Sequence, residues 1–248
     1  MQRYFIKNTQ MHDGIIEADS VMHKHISKVM RYTNGTHVIC IDEDHNVYDC
    51  TIADVTKGVL IKEKHIDENH ELDVDVTLVY GLPKGDKFEF VLKKATELGV
   101  SRIVPFMCQR SIIRTDAKSL KKKYERYNRI IQEAAEQSER EILPEITELA
   151  NIKTLHQYLS EVNLVAYEEA SRNHEESTFH QALSQLTKSI TIIVGPEGGF
   201  DESEIEAMEA LGIKRCGLGK RILRSETAPL YMLSVIGYER ELNNNGIY

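Results

Sequence analysis

Residues 191–200 read Thr-Ile-Ile-Val-Gly-Pro-Glu-Gly-Gly-Phe, so a short apolar run ends in a loop with three glycines. Residues 218–230 read Leu-Gly-Lys-Arg-Ile-Leu-Arg-Ser-Glu-Thr-Ala-Pro-Leu and come at the end of the next short run, Lys214 to Leu218. In open α/β sheets, ligands bind beyond the carboxyl ends of the strands. The two loops therefore predict a ligand site at one sheet edge, although glycine after a strand also fits a tight turn with no ligand.

Similar short runs occur back to residue 76, separated by segments long enough for helices. The predicted strands are Val76 to Tyr80, Arg102 to Phe106, Leu164 to Tyr167, Ile190 to Val194 and Lys214 to Leu218. This alternation is typical of a parallel sheet flanked by helices, and it favours an α/β fold for this part of the chain.

Helix boundaries can be predicted in the same region. Asp201 and Glu204 have the spacing of a capping box, and Thr227 with Pro229 begins a last helix. Apolar residues at spacings of three and four predict one further helix over residues 120–138: Leu120, Tyr124, Tyr127, Ile131 and Ala134.

The pattern before residue 67 is different. The predicted strands are short and end at tight turns: Arg3 to Ile6, Thr36 to Ile41, Val47 to Val55 and Val59 to Lys64. One helix near Ser20 to Met30 interrupts them, which favours a small β-barrel. Length alone permits one domain or two. Because the polar stretch Asp67 to Asp73 separates the two patterns, we predict a barrel domain in residues 1–70 and an α/β domain in residues 74–248.

Composition narrows the class of protein. Hydrophobic residues make up 41% of the 248, enough for a folded core. No segment has the length of a signal peptide's apolar region or a membrane-spanning helix, so we expect a cytoplasmic protein without a membrane partner. The four cysteines form no CxxC pair, and His23 and His25 lack a second cluster. We therefore expect reduced, mostly buried thiols and no metal.

The charge distribution is uneven along the chain. The formal net charge is −8, which argues against binding nucleic acid over the whole surface. Residues 74–130 nevertheless contain thirteen Lys and Arg against six Asp and Glu. This segment could contact phosphates, or Lys118 to Lys123 could simply line the solvated face of a helix, and the sequence leaves both interpretations open.

Familiar nucleotide-binding motifs are excluded by their spacing. Gly81 to Lys87 is not a P-loop, because the intervals are wrong and no Ser or Thr follows the lysine. Gly217 to Ile222 lacks the third glycine of a dinucleotide fingerprint. A site built from apolar side chains and backbone amides instead suits an adenosyl group on a sulfonium, which carries no phosphate.

The loops GPEGGF and LGKRILRSETAPL together resemble the SPOUT superfamily of knotted methyltransferases, and specifically its ribosomal RNA small subunit uracil-N3 methyltransferase family. The agreement covers nearly the whole chain: Met1 to Phe5, His25 to Arg31, Lys84 to Asp86, Lys94 to Gly99, Gln109 to Ser111, Glu133 to Ser138 and Pro144. Two positions depart from the family pattern. His23-Lys-His25 stands where two adjacent histidines are common, and Glu139 stands where glycine is usual.

The resemblance implies a PUA-like barrel, a C-terminal trefoil knot and a homodimer with each site near the subunit interface. Knots are otherwise almost absent from proteins, so no pattern in the sequence predicts one. The resemblance also implies methylation of a uridine in 16S ribosomal RNA, on assembled small subunits. The cofactor, S-adenosylmethionine, would be contacted by Gly195, Pro196, Glu197, Gly199, Leu218, Gly219, Ile222, Leu223, Arg224, Ser225, Thr227 and Ala228.

Roles for the charged residues follow as hypotheses. Arg224 would stabilise charge on a uracil oxygen and Glu226 would accept the N3 proton, unless Glu226 pairs with Arg224 or bonds backbone amides to hold its loop. Glu197 is expected to brace its own loop. The residues expected to bind RNA are Arg3, Arg31, Lys84, Arg110 and Arg114.

Two rival functions fit the same residues. A ribose 2′-O-methyltransferase would share the knot and the cofactor but would act on a hydroxyl group. A non-catalytic RNA-binding or assembly factor would use the barrel and the basic segment alone. The glycine loops disfavour this second rival, because a pure binding module has no evident need for them.

Overall fold

The computed structural model describes residues 1–111, 117–168 and 176–243. The chain divides into two compact units. Unit 1 contains Met1–Glu71 and Ala135–Leu143, and unit 2 contains Leu72–Ala134 and Pro144–Tyr248. The return of residues 135–143 to unit 1 is a feature that the sequence did not predict.

Unit 1 is built on a six-stranded sheet in the order β1-β4-β5-β6-β3-β2. Its strands are β1 Arg3–Phe5, β2 Met11–His12, β3 Ile15–Glu17, β4 His37–Ile41, β5 Val47–Asp54 and β6 Val59–Ile66. β1 and β4 are parallel, whereas the other neighbours are antiparallel. The four predicted strands are confirmed to within two residues at each end. The prediction missed β2 and β3, which are too short to form a clear alternating pattern.

The predicted helix of unit 1 has an unexpected end. Helix α1, Ser20–Lys24, begins where predicted, since the Asp19 side chain accepts hydrogen bonds from the first-turn amides. It continues as a π-helical turn over His25–Val29. The wider turn ends at Arg31, whose φ of 54° is unusual for a residue with a side chain.

Unit 2 contains a six-stranded sheet in the order β12-β10-β11-β7-β8-β9, with every neighbouring pair parallel. Its strands are β7 Asp75–Gly81, β8 Arg102–Phe106, β9 Glu145–Ile146, β10 Val162–Ala166, β11 Ser189–Val194 and β12 Lys214–Cys216. The five predicted strands are confirmed, and the two-residue β9 was missed. The α/β fold class is therefore confirmed.

The helices of unit 2 are α2 Lys87–Glu97, α3 Ala117–Lys121, α4 Tyr124–Gln137, α5 Glu176–Ser184, α6 Glu202–Ala210 and α7 Thr227–Gly237. The capping box of Asp201 and Glu204 is present at the start of α6, as predicted. The predicted helix over residues 120–138 is confirmed over Tyr124–Gln137, but a turn at residues 122 and 123 separates this part from α3. Its apolar stripe is nevertheless buried, including Tyr127, Ile131 and Ala134.

Alternation along the strands explains why the parallel sheet is covered on both faces. In β7, Val76, Leu78 and Tyr80 belong to one buried cluster, while Val79 belongs to another. A strand that is apolar on both faces reads as a continuous run. The core of unit 2 thus lies on both sides of the sheet. The loops at the strand ends lie outside this core and can form a site.

Two further features of the chain bear on the predictions. All four cysteines are free and buried, as expected. Glu139, where the family usually has glycine, has a φ of 63°, a left-handed conformation that glycine adopts without strain. Within the described ranges, no helix combines the length and apolar character needed to cross a membrane.

Candidate functional site

A pocket of about 890 Å³ lies in unit 2 where several strands reach their carboxyl ends. Such a volume is typical of a site for a small organic molecule. The pocket is lined by residues 194–200, 218–225 and 166–168, with Lys87, Arg110 and Ala228. The first two segments are the glycine loops that the sequence singled out.

The first loop, Gly195 to Phe200, lies tightly against neighbouring backbone. A Cβ on Gly198 would be 2.8 Å from the carbonyl oxygen of Arg110, and a Cβ on Gly81 would be 2.5 Å from Pro196 Cδ. Gly199 has a φ of 66°, which a side chain disfavours. The glycine at position 198 is therefore required by close backbone packing rather than by the room that a ligand needs.

The second loop, Leu218 to Glu226, has an apolar inner side and an exposed rim. Leu218 and Leu223 pack against the core, whereas Ile222 is 75% exposed. The loop ends in a turn in which the Arg224 carbonyl oxygen accepts hydrogen bonds from the backbone N–H groups of Thr227 and Ala228, starting α7. An exposed apolar side chain beside a pocket is available to a ligand.

The structure brings together eleven of the twelve residues expected to contact the cofactor, all of which line this one pocket. Thr227, the first residue of α7, is not among the lining residues. Arg224 also lines the pocket and is exposed. In the part of the chain that the structure describes, no carboxylate forms an ion pair with Arg224, so the expected Arg224–Glu226 pair is absent.

Glu226 pairs instead with Lys87, a residue that the sequence reasoning did not select. The Lys87 ammonium lies 3.0 Å from Glu226 Oε2 and 3.0 Å from Glu197 Oε1. Hydrogen bonds to Glu226 and then Glu197 raise the pKa of Lys87 above its ordinary value. The only signal available from the sequence was a second lysine three residues after Lys84, beyond the end of β7.

Both carboxyl groups of this triad have lowered pKa values. Partial burial would raise the pKa of Glu226, but hydrogen bonds from its own backbone N–H, from Lys87 and from Ser225 outweigh that effect. Partial burial would likewise raise the pKa of Glu197, but its own backbone N–H, Lys87 and the backbone N–H of Lys84 lower it. Both groups are therefore anionic at neutral pH, which suits structural ion pairs better than strong bases.

A buried tyrosine lies close to these two carboxylates. Burial raises the pKa of Tyr80, and the charges of Glu226 and Glu197 raise it further. Its ring stacks on Phe88, the residue after Lys87, at 6.0 Å between centroids. Tyr80 is therefore neutral at physiological pH, and its ring packs against α2.

A third loop at the same edge was also missed. Ala166 ends β10, Tyr167 and Glu168 follow it, and all three line the pocket. The guanidinium of Arg215 lies 5.9 Å from the centre of the Tyr167 ring. The sequence did not single out this loop, because no glycine follows the strand.

The residues expected to bind RNA lie in different settings. Lys84 and Arg31 are exposed, whereas Arg110 lines the pocket and donates to Asp201 Oδ2 at 3.1 Å. Arg114 lies outside the described residues. Three of the five predicted contacts are thus on the surface of their units, where phosphates can reach them.

Arg3 does not fit its predicted role. Its side chain is only 4% exposed, and it donates to Glu68 at 2.6 Å and to Glu141 at 3.5 Å. Glu68, His70 and Glu141 place possible metal-ligand atoms within 4.8 Å of one another, and the Arg3 guanidinium contacts both carboxylates. A buried, paired cation is poorly placed to contact a phosphate.

Comparison with protein families gives two matches. A model described as the RNA methyltransferase domain matches residues 70–237, and one described as the RNA methyltransferase PUA domain matches residues 24–63. The first match covers more than half of the chain. The second falls within unit 1, in agreement with the PUA-like barrel that the resemblance implied.

Curated relatives include proteins named ribosomal RNA small subunit methyltransferase E. The chain is 41% identical over 251 residues to ribosomal RNA small subunit methyltransferase E of Bacillus subtilis, covering 98% of each chain. It is 31% identical over 238 residues to the protein of that name from Synechocystis, covering 94% of this chain and 76% of the relative. These relatives extend across both units.

Solved structures give the same result. A Legionella pneumophila methyltransferase in complex with the bound cofactor SAM is 25% identical, with a TM-score of 0.83 and coverage of 96% and 97%. A ribosomal RNA small subunit methyltransferase E from Neisseria gonorrhoeae, 22% identical with a TM-score of 0.82 and coverage of 96% and 98%, shares the fold. Together with the family models and the curated relatives, these matches confirm the resemblance seen in the two loops, and the chain belongs to the ribosomal RNA small subunit methyltransferase E family.

Proposed function

We propose that this protein transfers a methyl group from S-adenosylmethionine to N3 of a specific uridine in 16S ribosomal RNA, on the assembled small subunit and in the cytoplasm. The observation that carries the proposal is that both glycine loops line one pocket of about 890 Å³ in a member of this family. The names of the relatives and the SAM complex of the Legionella protein support the substrate and the cofactor.

The residues of the pocket fit S-adenosylmethionine. The pocket offers apolar side chains, including Leu218, Ile222 and Leu223, and the exposed backbone of the glycine loops. Neither loop has a phosphate-binding motif, and the ligand has no phosphate. S-adenosylmethionine supplies an electrophilic methyl group when it is bound, and the task of the protein is to align it with the base.

Two side chains are proposed to act on the uracil. Arg224 stabilises negative charge on a uracil oxygen, since it lines the pocket and has no carboxylate partner among the described residues. Glu226 accepts the N3 proton, directly or through water. Its lowered pKa keeps the carboxylate ionised and able to accept a proton, and its ion pair with Lys87 also braces its loop.

The variant Glu226→Gln distinguishes these two roles. If Glu226 is the base, the methylation rate at saturating S-adenosylmethionine falls and loses its dependence on pH. If Glu226 only braces the loop, affinity falls and the pH profile keeps its shape. A rate that is unchanged across pH removes Glu226 as the base.

The reaction itself is tested with undermethylated small subunits and mass spectrometry of the product nucleosides. We expect 3-methyluridine. Nuclease-resistant methylated dinucleotides would instead indicate the ribose 2′-O-methyltransferase. Failure to bind S-adenosylmethionine in calorimetry would favour a non-catalytic RNA-binding factor.

We also propose that Arg31, Lys84 and Arg110 contact RNA phosphates, together with Arg114, whose surroundings lie outside the described ranges. The variant Arg110→Ala is expected to weaken RNA binding and to flatten its salt dependence. Arg102→Ala is the matched control, because Arg102 begins β8 whereas Arg110 follows its carboxyl end. Equal behaviour of the two variants would remove Arg110 from the interface.

A homodimer is proposed as the functional form. Residues on α7 and the π-helical segment that follows it form an apolar stripe at spacings of four, three and four: Tyr231, Val235, Tyr238 and Leu242. Tyr238 and Leu242 are 55% and 64% exposed in the single chain, which a second copy would cover. Tyr238→Lys should give a monomer in sedimentation, whereas Leu211→Lys, at an exposed apolar position elsewhere, should not.

The domain organisation is part of the same proposal. Residues 1–70 form a PUA-like RNA-binding domain, and residues 74–248 form the methyltransferase domain with a C-terminal trefoil knot. The two family-model matches, at residues 24–63 and 70–237, support this division. A purified fragment of residues 74–248 that binds S-adenosylmethionine would support it, and a fragment that cannot fold would argue against it.

A further inference from the structure

The Lys87 ammonium lies between carboxylates that belong to different loops of the pocket. Glu197 comes from the loop after β11, and Glu226 comes from the loop before α7. We propose that Lys87 is a positioning residue that fixes these two loops relative to each other, so that both can hold the cofactor. The inference rests on the proposed function of this pocket.

The position of Lys87 in its helix supports this role. Lys87 is the first residue of α2, where the helix dipole disfavours a positive charge. Favourable interactions must therefore come from outside the helix. Both ion pairs of Lys87 supply them, at 3.0 Å each.

Glu226 is placed for the same interaction. It occupies the N-cap position of α7, yet its side chain makes no capping hydrogen bond. Glutamate is not among the residues preferred at an N-cap. Its carboxylate accepts instead from Lys87 and, at 3.2 Å, from the Ser225 hydroxyl. The residue type at this position thus matches contact with Lys87 rather than helix capping.

Glu197 also contacts the residues at the start of α2 and just before it. Its Oε1 accepts from the backbone N–H of Lys84 at 3.2 Å as well as from Lys87. Lys84 and Lys87 therefore both contact Glu197 of the first loop. Through Lys87, it also contacts the second loop.

Electrostatics makes Lys87 necessary for this arrangement. Both acceptor oxygens lie 3.0 Å from the same nitrogen, so two negative charges are held side by side. The three side chains are only 18% to 29% exposed, which limits screening by water. Without the ammonium, the two carboxylates would repel each other and the loops would separate.

The test measures the dissociation constant for S-adenosylmethionine by calorimetry. Lys87→Met is expected to weaken binding by about ten- to hundredfold, because a small displacement of binding groups has a large effect. Lys87→Arg retains the bridging cation and should bind nearly as the wild type does. Lys93→Met is the matched control, since Lys93 is an exposed lysine on the same helix.

A second set of measurements separates positioning from direct contact with the cofactor. The double variant Lys87→Met/Glu226→Gln removes one of the repelling charges and should recover part of the lost affinity. In Lys87→Met alone, affinity should rise as the pH is lowered from about 7.5 to about 5.5, because one of the facing carboxyls takes up a proton. The wild type should lack this rise.

The outcomes are distinguishable. Unchanged affinity in folded Lys87→Met overturns the inference, and so does a loss that neither the double variant nor low pH reverses. If Lys87→Met does not fold, the single variants Glu197→Gln and Glu226→Gln replace it, and unchanged affinity in both overturns the inference. If the wild type does not bind S-adenosylmethionine, the proposed function fails instead.

Discussion

Each unit contains a cation that bridges two carboxylates distant in sequence, and the two bridges differ in their access to water. In unit 1, Arg3 contacts Glu68 and Glu141 with its side chain 4% exposed. In unit 2, Lys87 contacts Glu197 and Glu226 with its side chain 29% exposed. The same kind of ion pair is thus part of the interior of one unit and part of a pocket wall in the other.

The difference in exposure to water indicates what each bridge contributes to the protein. A buried charge is costly to leave unpaired, so its partners are tied to the stability of the fold. A partly hydrated pair contributes little to stability, but it can still determine where loops lie. We therefore expect changes at Arg3 to affect the free energy of unfolding, and changes at Lys87 to affect cofactor binding.

The largest effect is expected from Arg3→Met. Glu141 is only 5% exposed, and the variant leaves its carboxylate without the guanidinium. We expect a loss of about 3 to 5 kcal/mol in the free energy of unfolding, measured by urea denaturation followed by circular dichroism. Arg31→Met, at an exposed arginine of the same unit, should change this free energy by less than about 0.5 kcal/mol.

The opposite result would remove the distinction between the two bridges. A loss below about 1 kcal/mol in Arg3→Met would mean that the buried bridge behaves as a surface pair does. Cofactor affinity should not change in the folded variant, because Arg3 does not line the pocket.

Exchanges that conserve charge give a smaller and more selective effect. Arg3→Lys replaces two separate guanidinium contacts, Nη2 to Glu68 and Nη1 to Glu141, with one ammonium. We expect a loss of about 1 to 3 kcal/mol in the free energy of unfolding, because a single ammonium cannot reproduce both guanidinium contacts. Lys87→Arg should leave stability unchanged. Equal tolerance of both exchanges would contradict the distinction between the two bridges.

Lys87 is also expected to affect how the stability of the protein depends on pH. The pKa values of Glu197 and Glu226 are lowered in the folded protein. Their ionisation therefore stabilises the fold above the ordinary glutamate pKa of about 4.3, and this contribution is lost as the pH falls through the lowered values. Lys87→Met removes one cause of the lowering.

The midpoint of thermal unfolding measures this effect. The difference between the wild type and Lys87→Met should be largest near neutral pH and should narrow as the pH falls below about 5. Lys93→Met should follow the wild type at every pH. A difference that is constant with pH would mean that Lys87 acts without these carboxyls.

Features that depend on neighbouring residues could be predicted from the sequence, whereas contacts between distant residues could not. Local patterns predicted the five longer strands of unit 2, the α6 cap and the two glycine loops, because each depends on neighbouring residues. The two bridges depend on partners far along the chain: 138 residues separate Arg3 from Glu141. Arg3 was expected to bind RNA, and Lys87 was not selected as a site residue. Only the fold brings their partners together.

The smallest effect is expected at Glu139, at the edge of the Arg3 bridge. Its φ of 63° costs about 1 kcal/mol relative to glycine, the residue that the family usually has here. Its carboxylate lies 4.0 Å from Arg3 Nη2 and is 52% exposed, so the ion pair recovers little of this cost. Glu139→Gly should therefore raise the free energy of unfolding by up to about 1 kcal/mol in urea denaturation. Glu139→Ala is the matched control: it removes the same carboxylate, keeps the backbone strain and should not stabilise the protein. If Glu139→Gly instead destabilises the protein as Glu139→Ala does, Glu139 belongs to the bridge, which then has three carboxylates rather than two.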